Sequence, residues 1–390
     1  KLFGMNALAP KAKHPLPAFT ADDARLERGP AYDDIKDEPA DPNDWPTYRH
    51  DNQRSGGTDQ PLVKDLSPAW EVKLSGRLSS MTVAGGKAYV SQVDAHTLYA
   101  FDANTGKEAW HFIAGSRVDS PPTYWNGRVL FGCMDGNVYC LRASDGALAW
   151  RFHAAKTDLR HFAFESLESV WPVNGSVLVE NGSVMFVSGR SCFLDGGMTF
   201  YRVDARSGKT LSQVAFDNKD PDSDKKLDEL HKTLQMPTAL NDILSSDGKG
   251  TCYLRSQKMN MDGKRRDIAP VSGNAIEQGA AQKGTDGHIF AAFGYLDQEW
   301  FHRSYWVYGE HFAGGHNGYF QAGKYAPAGR ILVFDDKNVY SYGREAKYYK
   351  WTTTMEHTLY ATSKAPPDVE PQAEGPKPGK GGKKAGAAVQ

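Results

Sequence analysis

The chain lacks much that would point directly to a function. It has 390 residues and no apolar run of about eighteen, so no transmembrane helix is expected. Lys and Arg total 46 against 47 Asp and Glu, leaving a formal net charge of −1 and no electrostatic support for a nucleic-acid partner. The four cysteines, Cys133, Cys140, Cys192 and Cys252, form neither C-x-x-C nor C-x-x-C-H. That spacing excludes zinc-ribbon and c-type haem sites and makes buried free thiols the expected state. No G-x-x-x-x-G-K-[ST], G-x-S-x-G or H-E-x-x-H motif occurs. The opening KLFGMNALAP has neither an initiator Met nor a signal-peptide core, so a processed chain or a fragment is expected. The tail stops in a linker-like segment, which favours a fragment.

What is present is a repeated grammar of short strands and tight turns. In LYAFDANTGKEAW (98–110), Leu98 and Ala100 alternate with Tyr99 and Phe101, Asn104 to Lys107 form a turn, and Ala109-Trp110 start a returning strand. VYCLRASDGALAW (138–150) repeats this forty residues later, with Tyr139 eleven residues before Trp150 as Tyr99 is before Trp110. FYRVDARSGKTLS (200–212) keeps Tyr201, Asp204 and Gly208 but has Ser212 in place of the Trp. VYSYGREAKYYKW (339–351) keeps Tyr340 and Trp351 but lacks the Gly turn. A further strand opened by a Gly turn precedes each hairpin, at 85–94, 126–135, 181–190 and 328–337. A unit of about 40 residues with four short strands is the period of a propeller blade.

The pattern Ala100-x-Asp102-x-x-Thr105-Gly106-Lys107-x-x-Trp110 resembles the repeat of the pyrroloquinoline-quinone (PQQ)-like, or quinoprotein, β-propellers. The resemblance in layout covers about residues 45–363. It implies an all-β propeller of about six to eight four-stranded blades, some degenerate. It also implies a girdle in which the Trp of one blade docks on the Gly turn of a neighbour, with Trp110, Trp150 and Trp351 set against Gly106, Gly146 and Gly208.

Three segments follow: an acidic N-terminal arm or connector at 1–43, the propeller at 44–363, and a Pro/Gly/Lys-rich tail or linker at 364–390 expected to be disordered. DWPTYRHDNQRSG (44–56) reads as the lead-in to the first blade, with Trp45 and Tyr48 packing on the propeller edge. Leu227, Leu230 and Leu234 have helical spacing, so a short helical insertion covering a blade edge is expected near 215–236. Closure of the ring is expected to join a late strand such as TLYAT (358–362) to the first blade.

Ligands of propellers sit at the mouth, so polar residues outside the blade grammar are the candidates for a site. These are Arg117 and Asp119, Glu168, Arg190, and His302 with Arg303. Mixed Arg and carboxylate character suits a polar ligand bearing hydroxyl or carboxylate groups. Each could equally be a local salt bridge. Glu165 with Glu168 could form an acid/base pair, while Glu310, His311 and His316 lack the helix that would set metal-ligand geometry, so no metal site is assigned.

The favoured function is a non-catalytic binding or scaffold module for a protein partner or small polar ligand, exported to the periplasm or cell envelope as the resemblance implies. The competing reading is a PQQ-dependent dehydrogenase of alcohols or sugars, or part of one, with PQQ and calcium as cofactors. The resemblance implies that such enzymes hold PQQ between a Trp and a disulfide of adjacent cysteines, above calcium and a catalytic Asp. No two cysteines are adjacent in this chain, and other members of the family use the repeats only to bind proteins. Fold alone does not decide between these readings.

Overall fold

The computed structural model describes residues 22–61, 64–226, 229, 240–254, 257–260, 266–268, 287–291, 293–297, 302–308, 313–314, 320–321, 326–344 and 358–365. The leucines of the expected helical insertion, Trp351, the Glu310/His311/His316 group and the tail beyond 365 lie outside them.

A single helical turn, α1 (Asp22–Arg25), leads into strand β1 (Leu26–Arg28). The first blade is β2 (Thr82–Ala84), β3 (Lys87–Gln92), β4 (Thr97–Asp102) and β5 (Glu108–Ile113), paired in that order. The second is β6 (Thr123–Trp125), β7 (Arg128–Gly132), β8 (Asn137–Arg142) and β9 (Leu148–His153), with β1 added antiparallel outside β9. A two-stranded hairpin, β10 (Arg160–Ala163) and β11 (Ser166–Ser169), interrupts the passage to the third blade. That blade is β12 (Leu178–Glu180), β13 (Ser183–Ser188), β14 (Met198–Asp204) and β15 (Thr210–Phe216). A fourth sheet follows with β16 (Ser245–Ser246), β17 (Thr251–Leu254), β18 (Gln257–Asn260) and β19 (Arg266–Ile268). Next come β20 (Gly287–Ala291), β21 (Ser304–Tyr308) and the small pair β22 (Ala313–Gly314) and β23 (Phe320–Gln321). The last strands are β24 (Ala328–Phe334), β25 (Asn338–Arg344) and β26 (Thr358–Ser363), and they join β20 and β21 in one sheet ordered β20-β21-β24-β25-β26. The all-β propeller expected from the repeats is borne out.

The blades form where they do because their turns are encoded. Asn126-Gly127 and Asn181-Gly182 both have positive φ, as a type I′ hairpin turn requires. At the outer turn of the first blade, the Asp102 carboxylate accepts from the Asn104 and Thr105 amides, and Gly106 turns back at φ +67°. Alternation then sends Leu98 and Ala100 to the second blade, where they join Val129, Phe131, Tyr139 and Leu141 in one core cluster. The opposite face of the second blade, Leu130, Val138, Cys140 and Trp150, packs on Val184, Phe186, Tyr201 and Val203 of the third. Inner strands such as β7 are therefore buried on both faces.

Among the described residues, three Trp side chains lock the outer rim. Trp110 covers Gly146 and donates its indole N–H to the Ala143 carbonyl at 3.0 Å; Trp150 does the same to Gly208 and Ala205 at 3.3 Å. Gly106 receives Trp70, whose indole donates to Ala103 at 2.9 Å. A Cβ on Gly146 would fall 2.7 Å from the Trp110 ring, so only glycine leaves room for the indole. The repeat pattern singled out Trp110 and Trp150 but not Trp70, although the three are spaced by forty residues.

The segment 44–57 is not on the propeller edge, which corrects the sequence reading of Trp45 and Tyr48. Trp45 exchanges two backbone bonds with Val83 of β2, and the Pro46 carbonyl accepts from Tyr124 of β6. Asn52 donates from its side chain to Val179 of β12, and its carbonyl accepts from Ser246 of β16. The Ser55 carbonyl accepts from Phe334 of β24. One irregular stretch thus meets β2, β6, β12, β16 and β24 in turn. It fills the axis on which those strands converge. The fully buried Arg54 binds it together, donating to Leu244, Tyr48 and Asp51 carbonyls and to the Thr47 hydroxyl. Burial pulls its guanidinium pKa down to about 10.

Residues 25–44 run over the outside of the second blade before entering the axis. Arg25 donates to the His153 and Ala155 carbonyls, and Ala31 is fully buried in the core shared by the second and third blades. Asp37 pairs with Arg128 and Arg206, and Asp34 with Arg142. The acidity of this arm is thereby matched by arginines of the blades.

Candidate functional site

At one end of the ring three pieces meet: the connection 114–122 between the first two blades, the turn 133–136 of the second blade, and the hairpin β10–β11. Backbone bonds tie them, from the Met134 amide to the Arg117 carbonyl and from the Ser169 amide to the Met134 carbonyl. This brings Arg117, Asp119 and Glu168 to one place. The Arg117 guanidinium pairs with the Glu168 carboxylate, and both side chains are under a tenth exposed. Burial outweighs the attraction of Arg117 and raises the Glu168 pKa above the usual carboxylate range. Asp119 is also raised by burial; it accepts from the Gly175 amide at 2.8 Å and the Ser120 hydroxyl at 2.8 Å. These groups satisfy one another.

Arg190 sits on the neighbouring turn of the third blade and pairs with Asp195, five residues on. The pair lies close to the first group, because Trp171 donates its indole N–H to the Asp195 carbonyl and His161, opposite Glu168 in the hairpin, interacts with the charges of Arg190 and Asp195. His302 and Arg303 are not part of this assembly. His302 lines a separate cavity of about 460 Å³ with Tyr48 and Arg49 of the axial segment and Arg330 and Tyr342 of the last sheet. Burial lowers the His302 pKa. Glu165 is exposed at the hairpin tip while Glu168 is buried, so the two face different surroundings. Among the described residues, no three of His, Cys, Asp and Glu gather where they could hold a metal ion, and no helix is long and apolar enough to cross a membrane.

The hairpin also presents an apolar surface. Phe162 stands opposite Leu167 on its outward face, and both are exposed, as are Leu159 before it and Phe193 and Leu194 on the neighbouring turn. At the tip, Phe164 is 74% exposed, and the Arg117 guanidinium sits 4.6 Å from its ring centroid. Phe164 and Glu165 both adopt positive φ, at 49° and 63°, in a turn that usually takes Asn or Gly. The signal was readable in the connector: FAFESL places Phe162, Phe164 and Leu167 where the blade repeat needs only a link.

The family model of the outer membrane protein assembly factor BamB matches residues 64–227. The dehydrogenase subunit of a quinone alcohol dehydrogenase from Gluconacetobacter polyoxogenes is 31% identical over 150 residues, which is 34% of this chain and 20% of that protein. BamB of Moranella endobia is 32% identical over 78 residues, 20% of this chain and 19% of that protein. The matches thus span about a fifth of the length of these curated relatives. Among solved structures, a quinohemoprotein alcohol dehydrogenase from Pseudomonas putida HK5 covers 83% of this chain and 61% of its own, with a TM-score of 0.49 and 14% identity. BamB from Moraxella catarrhalis covers 67% and 80%, with a TM-score of 0.39 and 12% identity. The family match spans the three Trp–Gly locks and the first three blades, and the chain accordingly carries the repeat of the PQQ-like quinoprotein β-propellers.

Proposed function

We propose that the chain acts as a non-catalytic propeller module of an exported or cell-envelope protein and binds a protein partner at the mouth. One observation carries this reading. The charged groups of the mouth are consumed in buried or local pairs, while its large apolar side chains face outward. A small polar ligand needs convergent free donors and acceptors, whereas a protein partner can cover an apolar patch. The presence of BamB among the relatives is consistent with this reading.

The quinone alcohol dehydrogenase among the relatives favours the second reading, oxidation of alcohols or sugars with PQQ and calcium. The residues present do not fit that cofactor. All four cysteines are buried and outside any disulfide, none beside another, and the Cys133 thiol donates to the Ser116 carbonyl. Burial raises its pKa well above the ordinary thiol value. The test is reconstitution with PQQ and calcium. No bound-cofactor absorbance and no dye-linked oxidation of ethanol or glucose are expected, and both together would establish the enzyme instead. Purified from its native envelope, the wild-type protein is expected to retain a stoichiometric partner that Phe164→Asp loses while keeping its fold. Equal retention by both would overturn docking at the hairpin.

A further inference from the structure

We infer that Asn181 is a site of spontaneous covalent modification, at which the amide nitrogen of Gly182 converts it to aspartate and isoaspartate. Asn-Gly pairs occur at 126, 174, 181 and 317, and the last lies outside the described residues. Asn followed by Gly is the most open to this reaction, because glycine puts no side chain beside the attacking nitrogen. The structure leaves one of the three described pairs unguarded.

The first three blades make the same two-residue turn between their first and second strands. It is Gly85-Gly86 in the first, Asn126-Gly127 in the second and Asn181-Gly182 in the third, all at positive φ. The first has no side-chain amide to react. The second lies under the N-terminal arm: Gly127 is buried, and a Cβ on it would fall 2.6 Å from the Lys36 carbonyl. The Asn126 carbonyl accepts from the Arg128 guanidinium at 2.7 Å, and that group is itself tied to Asp37 of the arm at 2.8 Å. Nothing comparable covers the third. Asn181 is exposed, and a Cβ on Gly182 would meet only the edge of the Trp125 ring, 3.9 Å away. The Gly182 carbonyl accepts from Ala205, but among the described residues its amide has no partner.

The pair at 174 is guarded differently. Gly175 is buried, its amide donates to the Asp119 carboxylate at 2.8 Å, and its carbonyl accepts from the Gly132 amide at 2.9 Å. The nitrogen that would attack is thus already engaged, which gives the buried Asp119 a protective role.

The reaction needs only water. The Gly182 nitrogen bonds to Asn181 Cγ, the bond from Cγ to Nδ2 breaks, and ammonia leaves with the proton of the attacking amide. Water then opens the cyclic imide at either carbonyl. One opening gives aspartate; the other routes the main chain through Cγ as isoaspartate, adding a methylene to the backbone. Attack requires Asn181 to leave its left-handed conformation, so the rate follows how readily each turn opens. The lengthened turn no longer fits the pairing of Glu180 with Ser183. Both products also set a carboxylate beside Glu180, whose Oε2 is buried without a partner. The neighbouring Val179 carbonyl accepts from Asn52 of the axial segment, so modification loosens the third blade where it meets the axis.

The test is incubation of the whole protein at mildly alkaline pH, folded and in guanidinium, with peptide mapping of the three asparagines over time. The ratio of unfolded to folded rate at each site cancels the influence of its sequence neighbours. Protection at 126 and 174 is expected to exceed that at 181 by about tenfold or more. Equal protection at the three sites, or conversion of 126 or 174 ahead of 181 in the folded protein, would overturn the inference. Asn181→Gly, which the left-handed turn accepts, removes the reacting amide. After incubation this variant is expected to keep its urea midpoint while that of the parent falls. A parent converted at 181 with an unchanged midpoint would refute the loosening of the blade.

Discussion

The rim and the axis of this propeller hold the same blades by opposite means. At the rim, Trp70, Trp110 and Trp150 each cap the Gly turn of the next blade, at a constant interval in the chain. At the axis, residues 44–57 make a different bond to each sheet in turn, and Arg54 is surrounded by carbonyls rather than by a carboxylate. A lock that repeats can be read from one sequence, because spacing reveals it. A plug that occurs once has no second copy to reveal it. The difference also ranks their expected importance: a rim lock joins two blades, whereas the axial segment joins five sheets.

The comparison breaks most sharply at Arg54. Arg54→Ala removes donors to three carbonyls and a hydroxyl in a fully buried position, and each orphaned acceptor costs roughly 1–3 kcal/mol. Chemical denaturation should show a larger loss than for any single substitution at the rim. If Arg54→Ala is milder than the rim variants, the axis does not hold the ring. Next comes Trp150→Ala, whose wild-type ring is completely buried; a loss on the order of 3–5 kcal/mol is expected. Trp70→Ala, with a half-buried ring, should cost about 1–2 kcal/mol, between a surface change and a core truncation. Equal costs at 70 and 150 would mean that the 70 lock is as well sealed as the 150 lock.

The smallest effects are pH dependences of opposite sign. The Arg206 and Arg128 guanidinium groups hold the Asp37 pKa below its ordinary value. Its contribution is therefore present above the unfolded value and fades as pH falls through the folded one, below about pH 4. Asp37→Asn should remove that part of the acid limb and leave a flatter stability profile there. Asp119 is the reverse case, raised by burial. Its contribution is complete below the unfolded value, about 4, and declines as pH rises through the folded value. Asp119→Asn should gain on the parent as pH increases from there. Urea midpoints measured from pH 3 to 8 would separate the two, and parallel profiles for both variants would refute the assignment.

The arm and the mouth show how far the sequence could be read. The nine acidic residues between Asp22 and Asp44 marked an arm, but nothing local told that Asp34 and Asp37 meet arginines 91 to 169 residues away. Arg117, Asp119 and Glu168 stood out because the blade grammar did not need them. Their mutual pairing depends on a hairpin folding back over the second blade, and the large apolar residues of FAFESL were its trace in the sequence.

The blades themselves are written in the chain. Period-two alternation selects two faces, and Asn-Gly and Asp-x-x-x-Gly turns set where each strand reverses. The forty-residue return of Trp fixes how one blade meets the next, because these signals are local or periodic. What lies at the ring's centre, and which polar groups are left without a free valence for a ligand, emerge only from long-range packing. Those outcomes depend on residues far apart in the chain competing for the same buried carbonyls and charges. Arg54, beside a Gly-rich turn, carries no local mark of burial; it is buried because five sheets converge around it.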